Sequence, residues 1–219
     1  MPTPVQAPSE LRTICLTWSK ALDAISSQAE RIAFFEGALP ALLLDGIRVR
    51  ALLYDISQGK SRPDRRHAMM FDNEFLLYMD ARRRFSLRMY LHEPGEYTSI
   101  HDHSSWGVLG NASGTMEIIR YRRMDEGRRE GYARIEESSR FTCKPGHTDR
   151  TLPLNEGIHC VGNPTAKTIA IINVYGSPIR RLFINRFDVE NNRVDQVFPL
   201  HLRKMRLAAK ALEAFETGN

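Results

Sequence analysis

The sequence predicts a mainly β barrel or sandwich carrying helices at both ends, and three observations support this. From about residue 72 to residue 199 the segments are short, rich in β-branched and aromatic residues, and separated by turn signals about every eight to twelve residues. Before that stretch, apolar residues recur at three- and four-residue intervals, the stripe of an amphipathic helix. The same helical spacing returns after residue 200.

In chain order, Ser9 and Glu10 open a helix whose stripe is Leu11, Ile14, Cys15, Trp18, Leu22 and Ile25, with Arg31 to Phe35 as an extension. Pro40 is expected to break or restart that helix, because proline lacks the N–H and clashes with the preceding turn. A second short helix is expected over Leu42 to Ile56, then a loop at Gly59 to Pro63. Phe75 to Met79 reads as the first strand. In the next, Phe85, Leu87, Met89 and Leu91 alternate with Ser86, Arg88, Tyr90 and His92, a two-faced strand. Pro94-Gly95 turns the chain, and Gly107 to Gly114 is punctuated by glycine. Met116 to Arg122 is a strand, followed by a charged loop at Asp125 to Glu130. Tyr132 to Thr142, Lys167 to Tyr175, Leu182 to Phe187 and Val194 to Phe198 continue the pattern, with Asn191-Asn192 as a hairpin turn. In the last helix, His201 to Phe215, the residues Leu202, Met205, Ala209, Leu212 and Phe215 fall on one face.

The 219 residues suit one domain: a helical segment over 1–65, a β-barrel over 70–199 and a C-terminal helix over 200–219. No apolar run approaches the roughly 20 residues of a membrane span, and the N-terminus lacks the basic start and apolar stretch of a secretory signal, so a cytoplasmic protein is expected. Cys15, Cys143 and Cys160 lie far apart with no C-x-x-C pair, which excludes a zinc ribbon and a disulfide scaffold and leaves three reduced thiols. The net charge of +5 gathers in arginine runs at 82–84, 122–123 and 128–129. Because Asp125, Glu126 and Glu130 interleave with these runs, they read as solvated loops, and no nucleic-acid partner is expected.

His101 and His103 stand two apart where a strand leaves the Pro94-Gly95 turn, so both imidazoles can reach one point. His159 comes 159 − 103 = 56 residues later, before another strand, and a closed barrel brings such strands together. Imidazole is a common ligand of first-row metals. On spacing alone, one His-x-His among seven histidines leaves a metal site and a solvated loop as alternatives.

The run PGEYTSIHDHSSWGVLGNASGTMEIIRY, with the later GIHCVGN and NVYG, resembles the bacterial thiol dioxygenases of the cysteine dioxygenase-like cupins, including cysteine and 3-mercaptopropionate dioxygenases. The likeness runs collinearly from about residue 70 to residue 199, from FLLYMDARRRFSL to NRFDVENNRVDQVFP. It implies a double-stranded β-helix, or jelly-roll barrel, holding Fe(II) on His101, His103 and His159, with a small thiol and O2 as substrates and a sulfinic acid as product. Most metal cupins add a glutamate shortly after the second histidine; Gly107-Val108 stands there, which implies a three-histidine centre. Tyr175 matches the family's active-site tyrosine, a hydrogen-bond donor toward the reacting ligands. A monomer or homodimer is expected.

The chain departs from that family at its substrate end. Relatives have serine and histidine at the positions of Ile171 and Asn173, a relay behind the tyrosine; isoleucine has no side-chain hydrogen bond, and asparagine cannot carry a proton as imidazole does. An ungapped alignment sets Asn73 where the family places its carboxylate-binding arginine, and asparagine does not replace a bidentate guanidinium. Arg88 substitutes if it faces inward; its plain expectation is a surface position opposite the core face of its strand. Asn73, Arg88 and Asn173 are thus the candidate substrate residues, and a thiol other than cysteine is expected. Gly107 also occupies the position of the cysteine that crosslinks to the tyrosine in mammalian-type enzymes. The alternative function is a metal-binding cupin without dioxygenase activity, acting as a ligand-binding or sensor protein.

Overall fold

The structure is a computed structural model and describes residues 7–59, 71–178 and 181–217; most of the expected loop at Gly59 to Pro63 lies outside the described residues. Among those residues, no helix is long and apolar enough to cross a membrane.

Helix α1 spans Ala7–Ala21 and ends in a short 3-10 turn at Leu22–Ala24. The stretch expected to extend it is a separate helix, α2, Gln28–Leu43. Ser27 and Glu30 are the reason: the Ser27 hydroxyl accepts from the Glu30 N–H at 3.2 Å, and the Glu30 carboxylate accepts from the Ser27 N–H at 3.2 Å. This reciprocal cap starts a new helix. Pro40 lies inside α2 and does not break it. Only the last turn follows it, so one backbone bond is lost near an end, and the Pro40 carbonyl still accepts from the Leu44 N–H at 3.0 Å. Helix α3, Gly46–Ser57, begins four residues later than expected because Asp45 caps it, accepting from the Arg48 N–H at 2.9 Å.

Among the described residues, eleven strands form two antiparallel sheets. The first holds, side by side, β1 (Glu74–Met79), β2 (Phe85–His92), β9 (Ile169–Gly176), β4 (Gly107–Gly110) and β7 (Thr148–Thr151). The second holds β11 (Arg193–Val197), β10 (Ile184–Asp188), β3 (Ile100–His101), β8 (His159–Gly162), β5 (Met116–Arg123) and β6 (Ile135–Cys143). From β2 to β10 the chain crosses between sheets at every step except the β5–β6 hairpin. That alternation is the double-stranded β-helix, the jelly-roll that closes strands around one interior. The β10–β11 hairpin turns at Asn192, whose φ of 49° asparagine tolerates well.

The two faces of the first sheet differ. Phe85, Leu87, Met89, Val108, Ile172 and Val174 turn outward and pack with Leu11, Trp18, Phe35, Leu39 and Leu42 of the helices in one cluster. The opposite face looks into the barrel, where Tyr90, Leu109 and Ile171 join Met116, Ile118 and Val161 of the second sheet. Helix α4, Leu200–Thr217, follows β11 and is exposed along almost its whole length.

Candidate functional site

The first and third histidines meet by strand register: His101 on β3 stands directly opposite His159 on β8. Directly opposed residues on antiparallel strands point the same way, so both enter the barrel. His103 follows two residues on and closes the group. The three ring centroids are 4.7 to 4.9 Å apart, and one nitrogen from each ring lies within 4.8 Å of the others. All three side chains are buried.

Burial lowers the pKa of all three imidazoles, and the neighbouring histidines push His103 and His159 down further. The rings are therefore neutral at pH 7, the state that ligates metal. His101 Nδ1 lies 2.8 Å from the Ser99 carbonyl, which assigns the proton to Nδ1 and leaves Nε2 to the interior. His103 Nε2 and His159 Nε2 converge to 2.9 Å. Two ring nitrogens this close, with a third beside them and all three side chains buried, fit a shared cation of the borderline first-row kind.

A clamp behind the histidines holds them in place. Asp102, between His101 and His103, is fully buried and takes both arms of Arg181 at 2.8 and 2.7 Å. Asn185 adds its backbone N–H at 2.7 Å and its side-chain amide at 2.8 Å. Arg181 also donates to the His103 carbonyl at 2.8 Å, so the segment carrying His101 and His103 is tied to Arg181 and, through Asn185, to β10. A bidentate guanidinium with two amide donors is among the stronger neutralisations a buried carboxylate can have.

Tyr175 on β9 sets its ring 5.8 Å from the His103 ring, nearly parallel at 23°. Gly107 on β4 lies directly opposite it, and a Cβ there would sit 2.7 Å from the Tyr175 ring. The tyrosine occupies the space that a cysteine at this position would need. Burial raises the Tyr175 pKa, while hydrogen bonds from Asn173 and Tyr90 pull it down. Asn173 takes the Gly110 N–H on its Oδ1 at 3.1 Å, which orients its Nδ2 to donate to the Tyr175 oxygen at 3.1 Å. With its oxygen accepting from Asn173 and Tyr90, the Tyr175 hydroxyl proton is left to point elsewhere.

Arg88 faces the barrel interior, not the surface expected of it. It stands opposite Asn173 on β9 and Leu76 on β1, with Ser86 opposite Tyr175 and Tyr90 opposite Ile171. The physical reason is that the apolar residues of β2 are claimed from outside by the helices. Arg88 donates to Ser86 Oγ at 3.1 Å and pairs with Glu74, whose side chain is 1% exposed. Asn73 lies before β1, its amide donating to the Leu91 carbonyl at 2.9 Å and to Glu96 at 3.2 Å. The structure thus brings Asn173 and Tyr175 together beside the histidines, with Arg88 on the same inner face, and engages Asn73 in a strand-end bracket. Trp106 packs against Phe35 in the outer core.

Sequence reasoning missed Tyr90, Glu74, the Asp102–Arg181 clamp and Arg120. The last stands opposite His159, pairs with Asp149 and sets its guanidinium 5.4 Å from the Phe141 ring. The signal for Tyr90 and Glu74 was available in the alternation of β2: once the helices are assigned the odd-numbered face, the even-numbered residues and their partners line the interior.

The fold and the site together define a cupin-type barrel with a buried three-imidazole group able to hold a metal ion. No family model matches the chain. Among solved structures it is similar to a Cupin 2 conserved barrel domain protein from Salinispora arenicola, at 19% identity over 53% of this chain and 87% of that one, TM-score 0.36. It is also similar to the Cupin_2 domain of an XRE family transcriptional regulator from Enterobacter cloacae, at 15% identity over 48% and 96% of the two chains, TM-score 0.34. An oxalate decarboxylase from Lactobacillus farciminis, solved as a formate complex, is similar at 17% identity over 52% of this chain and 31% of that one, TM-score 0.34.

Proposed function

We propose that this chain is an Fe(II)-dependent dioxygenase that converts a small thiol and O2 to a sulfinic acid. The observation that carries the reading is the buried triad of His101, His103 and His159 with the Tyr175 phenol stacked beside it. Iron held there supplies a Lewis acid that favours the thiolate and a common template for the two substrates. Both atoms of O2 end on sulfur, whose four-electron oxidation matches the reduction of O2, so no outside reductant is consumed. The thiol proton passes to solvent or to the product.

The protein's own residues orient and exclude. Tyr175 donates its hydroxyl proton as a hydrogen bond toward the ligands of the centre. Asn173 and Tyr90 hold that phenol from behind. They take the place of the serine–histidine relay that Ile171 and Asn173 lack, with Tyr90 reaching in from the position opposite Ile171. Tyr90 is thus a positioning residue.

Two arginines, Arg88 inside the barrel and the partly exposed Arg120 opposite His159, indicate the substrate class. Arg88 is paired with Glu74 and Arg120 with Asp149, so neither guanidinium presents an unneutralised charge to a carboxylate. A thiol without a free carboxylate suits this interior better than cysteine or 3-mercaptopropionate.

Metal analysis of protein purified without added metal, with oxygen uptake against neutral, amine-bearing and carboxylate thiols, tests the reading. Iron at near one per chain, uptake with a thiol lacking a carboxylate, and a product two oxygens heavier are expected. Bound iron with no uptake from any thiol would overturn it. A tight unreacted thiol complex in air would then favour the ligand-binding role, for which the same charge pairing also speaks. Tyr90→Phe keeps the ring and removes one donated hydrogen bond. We expect kcat to fall about five- to tenfold, with iron content and KM nearly unchanged.

A further inference from the structure

We propose that α4 is a self-association surface, on which two copies of this chain pair their C-terminal helices antiparallel. The helix is turned inside out relative to the barrel beside it. Arg203, Arg206, Leu207 and Lys210 line a groove of about 530 Å³ against Arg123, Arg129, Val194 and Phe198, and the Arg206 guanidinium sits 4.1 Å from the Phe198 ring. At 3.6 residues per turn, the face opposite these residues is Met205, Ala208, Ala209, Leu212 and Phe215, with Leu202 at its edge and Glu216 joining it at the C-terminal end. That apolar face looks into solvent: Met205 is 66%, Leu212 58% and Phe215 75% exposed. The helix is exposed from Arg203 to Phe215, Leu207 of the groove side at 56% included, and an apolar stripe left in water along such a helix points to a partner outside the chain.

The stripe is self-complementary. Its bulky residues stand at the two ends and its small ones, Ala208 and Ala209, in the middle. A two-fold axis crossing at the alanines lets two backbones approach closely and sets Met205 of each copy against Leu212 of the partner subunit. The charges favour the same direction. Arg203, Lys204 and Arg206 precede the two alanines, while Lys210, Glu213 and Glu216 follow them, so the first half of the helix is basic and the second carries a net negative charge. Parallel pairing stacks cation on cation; antiparallel pairing draws each basic half toward the acidic end of the other copy. An anionic membrane is the less fitting occupant, since the centre of the stripe is alanine rather than bulky apolar anchors, and Glu213 flanks it.

Sedimentation of the full-length protein over a range of concentrations tests the proposal. A reversible dimer is expected, and Met205→Glu with Leu212→Glu should weaken it about tenfold or more. Both positions are exposed, so unchanged circular dichroism, thermal unfolding and metal content show that the barrel is intact. Direction is read by crosslinking. Cys15, Cys143 and Cys160 are buried, so an engineered surface thiol is the reactive one. Ala209→Cys should form a disulfide dimer, while Phe215→Cys, far from the axis, should not. Equal crosslinking of both overturns the antiparallel arrangement. A chain that stays monomeric at every concentration, or one that binds phosphatidylserine vesicles as a monomer, overturns the proposal. None of these readouts depends on the proposed dioxygenase activity, so the interface and the enzymatic reading fail separately.

Discussion

The two faces of β2 do opposite work. Phe85, Leu87 and Met89 point away from the barrel and are sealed by the N-terminal helices, while Ser86, Arg88 and Tyr90 point into it, toward Tyr175 and Asn173. In a two-layer sandwich the apolar face of a strand is the inward one. Here a third, helical layer takes the apolar face, which frees the barrel interior to carry charge and phenols. Stability and chemistry are thereby separated by the thickness of one sheet.

That separation can be broken from either side. The largest effect is expected from Phe35→Ala on the helical side. Phe35 is fully buried, with ring contacts to Trp18 at 5.5 Å, Phe85 at 5.0 Å and Trp106 at 6.0 Å. Denaturant unfolding should show a loss of about 3–5 kcal/mol, while the folded fraction keeps its full metal content. Glu74→Gln attacks the inner face. It leaves the Arg88 guanidinium without its carboxylate inside the barrel and should cost about 3 kcal/mol by the same measurement. Gly107→Ala is aimed at the site alone. The added methyl meets the Tyr175 ring at 2.7 Å, so the phenol must shift. Turnover should fall about a hundredfold with iron retained, and a variant that turns over normally would show that the phenol position does not matter.

The smallest effect concerns the joint between the layers. Asp80 accepts from Ser19 of α1 at 2.7 Å and from Arg84 through its backbone N–H at 3.1 Å and its guanidinium at 2.9 Å, and its pKa is lowered to about 2. Desolvation opposes that shift, and the Arg84 and Ser19 hydrogen bonds outweigh it. A carboxylate depressed in the folded state stabilises above its unfolded pKa and loses that contribution as pH falls through the folded one. Unfolding followed between about pH 5 and pH 2 should show this loss in the native chain. Asp80→Asn should remove about 1 kcal/mol at neutral pH and flatten that acid limb.

Much of this was legible in the residues. The alternation of β2, the Pro94-Gly95 turn and the Asn191-Asn192 hairpin marked the strands, and the His-x-His spacing pointed to two neighbouring imidazoles, although β3 ends at His101 and His103 lies just beyond it. What periodicity does not state is which face of a two-faced strand is inward, and Arg88 was placed on the wrong side for that reason. The decisive fact is long-range: the apolar stripe Leu11, Cys15, Trp18 and Leu22 needs a sheet to cover, and it takes the outer one. Ser27 with Glu30 was a readable cap that the continuous apolar spacing masked. Alternation along β2 puts Tyr90 on the inner face once the helices take the outer one, and register then pairs it with Glu74 and Ile171.

Asn185 belongs to two neighbourhoods. Its backbone and side chain grip Asp102 between the two histidines, and it also lines the groove beneath α4. The path from the exposed helix to the buried histidine triad therefore passes through one residue and its carboxylate partner. Whatever settles on that helix rests its weight on the wall to which the His101–His103 segment is fastened.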